Sequence, residues 1–510
     1  MDVIFRGMNF RQKIGQLIFP RLEGNSLSDN EYFNSRLSLI DAGIGGFILF
    51  GGKIPETPIA IKRLQEKAKT PLLITSDIER GLGQQLAGGT RFLNQWGVAE
   101  AIDLENPEDV KLLHEMLNAV REECIAAGIH AVFSPVADVN VNPDNPIIST
   151  RSFGEDSEKV SWFVKEYVKG LQSADCRGGS VTRPGRGSAS PLQSCAKHFP
   201  GHGDTAVDSH TSLPVINANR ERLERVELPP FKAAIDAGAA MIMVGHLRLP
   251  ALEPDPIPAT FSRRVVTNLL RGEMGFKGLV VTDALDMGAL KAICDEGEAA
   301  VRALIAGCDI LLHPSEPLKV LDAVIDAVKK GRLSEERIAE AFGRIMDIKK
   351  GLDVKAHGNA PLPENPQLAN KIAGKAVKFR KGRGINQSDS IACLIIDDDG
   401  DGSVANPFLN GMKERIPDFR IVSSPSAIKN NDTVVIPIFS KVSAWKGSSG
   451  LSIGSYDRIK KNLEKAGRSV IISFGSPYML NNIDADTLVD AFDPADFMQK
   501  VVVERLLSEL

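Results

Sequence analysis

Eight short apolar runs recur along the first part of the chain: Gln16–Pro20, Gly45–Phe50, Pro71–Thr75, Ala131–Pro135, Ser194–His198, Met241–Gly245, Leu279–Thr282 and Asp309–His313. None alternates strictly between apolar and polar, which suits parallel strands buried on both faces. Between them the periodicity is helical. Glu108–Ala127 places Leu113, Met116, Leu117, Val120 and Cys124 on one face, and Pro230–Ala237 begins with a proline at a plausible first helical position. Eight strands alternating with helices predict a (β/α)8 TIM barrel over residues 1–352. A doubly wound open sheet is the alternative, though no GxGxxG turn follows the early strands.

The texture changes near residue 350. Residues 353–388 read as a linker holding one helix, about Pro366–Lys378, and ending in the basic run Lys378–Arg383. Buried-strand runs return at Ala392–Ile396, Thr433–Ile438 and Ser469–Ser473, and an amphipathic segment closes the chain at Ala495–Leu510. Residues 389–510 therefore read as a smaller second domain of strands and helices. Residues 173–192, rich in Gly, Ser, Arg and Pro, read as a mobile surface insertion, because such a composition buries too little apolar surface to order itself.

Composition narrows the function classes. The 510 residues are 43% hydrophobic and 25% charged with net charge −4, so there is no electrostatic case for nucleic acid or an anionic membrane. The six cysteines lie without CxxC pairs, which argues against a disulfide framework or a thiolate zinc site and fits a reducing cytoplasm. The first residues show no basic start and no apolar core of a signal peptide, and no run reaches the ~20 apolar residues of a membrane span.

The chemistry gathers in Ala196-Lys-His-Phe-Pro-Gly-His-Gly-Asp-Thr-Ala-Val-Asp-Ser-His210, where three histidines, two aspartates and a lysine share fifteen residues. Pro200, Gly201 and Gly203 exclude a helix, so the segment is a strand end running into a loop. Asp208, two residues before His210, can fix the imidazole tautomer and raise its basicity, as an acid/base catalyst requires. Five of the eight histidines (His198, His202, His210, His246 and His313) fall at or just past predicted strand ends. Asp77, Glu79, Asp138, Arg151 and Asp283 do the same, which is where a barrel gathers its active site. A solvated polar loop and a zinc site on His198, His202 and His210 are the competing readings. The helix that would align His198 with His202 is broken by Pro200 and Gly201.

This segment resembles the signature of bacterial β-N-acetylglucosaminidases of glycoside hydrolase family 3, whose loop carries Lys-His-Phe-Pro-Gly-His-Gly and then Asp-Ser-His. Gly278-Leu-Val-Val-Thr-Asp-Ala-Leu-Asp-Met287 resembles a second family signature, and Ile472–Tyr478 looks like part of its C-terminal domain. The resemblance implies a retaining exo-glycosidase with no metal and no cofactor, acting on a small carbohydrate. Asp283 is then the nucleophile, His210 the acid/base and Asp208 its dyad partner. Lys197, His198, Arg151 and Asp77 would hold sugar hydroxyls. A histidine suits the acid role because it exchanges a proton near neutrality without strong tuning.

The implied substrate is terminal β-linked N-acetylglucosamine from muropeptide or chitin fragments. A β-glucosidase, a xylosidase and a glycoside phosphorylase of the same family remain alternatives. One departure bears on this choice. The family has Asp-x-Glu-Gly-Gly with an arginine eight residues after the aspartate, whereas this chain reads Asp77-Ile-Glu-Arg-Gly81 with Gln85 at the arginine's place. Gln85, Arg80 or Arg91 would have to complete the grip on the outer hydroxyls.

Overall fold

A computed structural model describes residues 7–173, 192–206, 213–351, 362–440 and 450–508. Contacts divide the chain into two compact units. The first comprises residues 1–91, 114–141 and 155–365, and the second residues 92–113, 142–154 and 366–510. The units thus cross the boundaries drawn from composition, since two early segments group with the C-terminal part. The 173–192 insertion falls almost wholly outside the described residues.

In the first unit, seven parallel strands form a curled sheet: β2 (Arg21–Glu23), β3 (Gly46–Phe50), β4 (Leu73–Ser76), β5 (Ala131–Val132), β6 (Gln193–Phe199), β7 (Met241–Val244) and β8 (Leu279–Thr282). Each pairs with the next in the chain, without the reversal of order that a doubly wound sheet requires. A two-stranded pair, β1 (Ile18–Phe19) with β9 (Leu311–Leu312), accompanies the sheet, and an isolated bridge joins Val281 of β8 to Ile310. The first apolar run therefore continues into a second strand. Pro20, lacking an N–H, divides β1 from β2, and the chain changes partner across it, from β9 to β3. All eight apolar runs contain a described strand.

Burial on both faces explains the unbroken apolar runs. Every residue of β4, β6, β7 and β8 is buried. The predicted helices form at Pro107–Ala126 and Pro229–Ala237. Helix Ser157–Leu171 shows the local logic. Asp156 caps it by accepting from Lys159 N, and Val160, Phe163, Val164, Tyr167, Val168 and Leu171 form its buried stripe. It packs on Pro229–Ala237, whose Phe231 ring stands edge-on to Phe199 of β6 at 5.2 Å.

The second unit is a mixed sheet with helices. Its strands are β10 (Lys378–Lys381), β11 (Ile391–Cys393), β12 (Ile396–Asp397), β13 (Phe419–Ile421), β14 (Thr433–Phe439), β15 (Arg468–Ser473) and β16 (Thr487–Asp490). The order is β10-β16-β15-β14-β11-β13, with β12 beside β14 and only β10 antiparallel. The basic run assigned to the linker is thus an edge strand. Its charges are partnered: Arg380 with Asp490, Lys378 with Glu100 at 2.9 Å, and Lys381 with Asp484 at 3.2 Å. Charged residues suit an edge, where the outer face meets water. The linker helix spans Pro366–Ala376. No helix among the described residues is long and apolar enough to cross a membrane.

Candidate active site

Asp77, Asp138, His198, His246, Asp283 and His313 sit at or just past the carboxyl ends of β4, β5, β6, β7, β8 and β9, the end at which parallel α/β sheets place their chemistry. β6 supplies two consecutive polar residues. Lys197 Nζ lies 2.7 Å from Asp77 Oδ1 and 2.7 Å from Glu79 Oε1, with only 3% of its side chain exposed. His198 Nδ1 lies 2.7 Å from Asp138 Oδ2, and that carboxylate is fully buried. A carboxylate this deep persists only when its remaining lone pairs are also satisfied. Asp138 meets that condition: Oδ1 accepts from His202 N at 2.6 Å, and both oxygens lie 3.3 Å from His198 N.

The loop beyond β6 is shaped by its glycines. A Cβ on Gly203 would stand 1.7 Å from the Val139 carbonyl oxygen, and Gly201 has φ +127°. The backbone therefore passes close beside the Asp138 segment. His202 is buried with Nδ1 2.8 Å from Thr205 Oγ1. Burial pushes its imidazole down to about 4, while Asp138 raises it and His198 lowers it further. His202 is therefore neutral near pH 7.

Asp283 follows β8 directly. Its N–H donates to Val244 O at 3.0 Å, and its Oδ1 accepts from Ala284 N at 2.8 Å, so backbone holds both the residue and one carboxylate oxygen. Burial pushes the Cys195 thiol well up; Lys197 opposes the shift, and Asp77 and Asp283 add to it. The nucleophile candidate, Asp77 and Lys197 thus act on one electrostatic neighbourhood. Neighbouring His246 lies with Nδ1 2.8 Å from Thr260 Oγ1 and Nε2 3.0 Å from Ala284 O. Asp286 has His313 beside it: His313 Nδ1 is 2.9 Å from its Oδ1, although off the angle of a well-formed hydrogen bond.

Gln85 is engaged with backbone at both ends of its amide. Nε2 donates to Asp77 O at 3.1 Å, and Oε1 accepts from Gly51 N at 3.1 Å. It braces the turn carrying Asp77. Arg151 belongs to the second unit, in the turn Ser149–Arg151, where Nη1 donates to Ile147 O at 3.1 Å. Asp208 and His210 lie outside the described residues. The described residues contain no group of three or more His, Cys, Asp or Glu side chains placed to hold a metal ion.

The sequence places Asp138 and Glu79 at strand ends without revealing the partner of either. The structure makes them the carboxylate partners of His198 and Lys197. A signal was available for Asp138, since it follows its apolar run much as Asp77 follows the preceding one.

The chain belongs to glycosyl hydrolase family 3, whose N-terminal domain matches residues 9–348. It is 30% identical over 378 residues to β-hexosaminidase A of Pseudoalteromonas piscicida, covering 67% of this chain and 60% of that protein. It is 29% identical over 374 residues to a β-N-acetylglucosaminidase/β-glucosidase of Cellulomonas fimi, covering 69% of this chain and 62% of the relative. The chain thus spans about three fifths of these two relatives. A solved family 3 β-N-acetylglucosaminidase from Paenibacillus sp. str. FPU-7 is 28% identical with a TM-score of 0.80, covering 98% of this chain and 97% of that one. A β-glucoside phosphorylase at 22% identity shares the fold, with a TM-score of 0.83 over 99% of this chain and 92% of that one.

Proposed function

We propose that the chain is a retaining exo-β-N-acetylglucosaminidase that releases terminal β-linked N-acetylglucosamine from muropeptide or chitin fragments. The observation that carries this reading is the Lys197–His198 pair, each residue held by its own strand-end carboxylate, in one neighbourhood with Asp283. The names of the β-hexosaminidase relatives point the same way. We place this chemistry in a (β/α)8 barrel catalytic domain over residues 1–352. The pairing of β1 with β9 and the Val281–Ile310 bridge support that closure. The remainder is a linker and a C-terminal α/β sandwich domain.

In this mechanism Asp283 attacks the anomeric carbon while His210 gives its proton to the departing oxygen, forming a glycosyl ester. His210 then takes a proton from water as that water cleaves the ester and restores the carboxylate. Asp208 orients and charges the imidazole, as the aspartate of a Ser-His-Asp triad does. Lys197, His198, Asp77 and Arg151 would hold sugar hydroxyls, and a carboxylate such as Asp77 can accept two.

A second reading, β-glucosidase or glycoside phosphorylase, draws on Gln85, whose backbone-bound amide stands where the family carries an arginine. The dual name of the Cellulomonas relative agrees with it. Turnover of aryl β-glycosides of N-acetylglucosamine, glucose, xylose and galactose, with and without phosphate, tests both. Preferential hydrolysis of the N-acetylglucosaminide independent of phosphate is the expected outcome. Preference for glucose, or dependence on phosphate, selects the second reading.

A further inference from the structure

The segment after β5 runs beside β6. Cys195 N donates to Ser134 O at 3.1 Å, Lys197 N to Pro135 O at 3.1 Å, and Ala137 N to Lys197 O at 2.6 Å, with Val136 bridged to Lys197. This register places Asp138 next to His198. The carboxylate is fully buried, and it gathers the His198 ring and the backbone of both His198 and His202. A buried anion in a parallel-sheet protein is costly unless its partners are fixed. The His198 and His202 donors to it come from the end of β6 and the loop that follows.

Ionised carboxylate oxygens only accept hydrogen bonds, so the His198 nitrogen facing Asp138 must carry a proton. In a neutral imidazole the other nitrogen is then an acceptor. We infer that Asp138 is a positioning residue: it holds His198 in the Nδ1–H form, which makes Nε2 an acceptor for a hydroxyl donated by the sugar, and it pins the base of the loop that follows. This rests on the reading of His198 as a sugar-hydroxyl ligand. The other buried histidine cannot neutralise Asp138, because burial keeps His202 uncharged near pH 7. Replacing Asp138 by asparagine would keep an oxygen for His202 N while presenting an amide N–H to His198. The ring would then switch to its Nε2–H form and lose the acceptor.

Nitrogen NMR of ¹⁵N-histidine-labelled protein, with His198 assigned by comparison with His198→Gln, reads the tautomer without substrate. Nδ1 protonated and Nε2 unprotonated is the expected wild-type result. An Nε2–H wild type overturns the inference, whatever happens to any variant. Asp138→Asn should move His198 to Nε2–H and lower kcat/KM on the preferred aryl glycoside by about 10–100-fold, the cost of one lost hydrogen bond and the mismatch it leaves. In a His198→Ala background the same substitution should add little, because Asp138 acts through that ring. Additive losses, or a tautomer unchanged in Asp138→Asn, overturn the positioning role. A wild type that turns over no aryl glycoside instead defeats the glycosidase reading, and the spectrum still decides the tautomer.

Discussion

Lys197 and Glu79 form a buried ion pair, with Nζ 2.7 Å from Oε1 and side chains 3% and 6% exposed. Asp77, on the same turn, takes the second contact of the ammonium at 2.7 Å. One lysine therefore offsets two carboxylates. Lys197→Ala should unfold at lower urea than wild type, by about 3–5 kcal/mol, the usual result of leaving a buried charge without its partner. Glu79→Gln should cost far less, because Asp77 still holds the ammonium. Equal losses in the two variants would mean that Glu79, not Lys197, anchors the cluster.

The His202 value implies a pH dependence of stability. Its folded imidazole is depressed to about 4, chiefly by burial, against ~6.5 in an unfolded chain. Between those values the unfolded chain binds more protons, so stability falls as pH drops through that window and is retained above it. The single-site contribution is on the order of 3 kcal/mol. Urea midpoints at about pH 4.5 and about pH 7 should converge in His202→Gln relative to wild type. An unchanged difference would assign the acid lability to the carboxylates.

Asp283→Ala should abolish turnover of every substrate, because no glycosyl ester can form. A slow 2-fluoro sugar should label the wild type on Asp283, located by peptide mass spectrometry. Label on Asp286 would reassign the nucleophile to the residue that faces His313.

His210→Ala should be slow on sugar–sugar bonds and much less impaired on aryl glycosides with acidic phenols, with a deficit of ~10²–10⁴-fold where protonation is needed. Asp208→Ala should follow the same pattern more mildly. Equal losses for good and poor leaving groups would make His210 a binding residue and turn attention to Glu79 as the acid.

Apolar runs by themselves specified every strand of the first unit except β2 and three in the second, because a strand buried on both faces leaves no polar position to blur the signal. The helices Pro107–Ala126 and Pro229–Ala237 follow from helical periodicity in the same way. The short charged edges were not legible. Lys378–Lys381 has no alternation, and its strand state depends on antiparallel pairing with residues more than a hundred positions away. The strand-end positions of Lys197, His198 and Asp283 could be read from local pattern, since the first two lie within β6 and the third follows β8 directly. The roles of Asp138 and Glu79 could not, because a carboxylate's partner is decided by which strand ends the fold brings together. Gln85 is the same case: sequence marked it as a departure, but only the turn geometry bound its amide to Asp77 O and Gly51 N. Local order was written in hydrophobic spacing, while charge compensation was decided by tertiary contact, where burial makes every unpaired group costly.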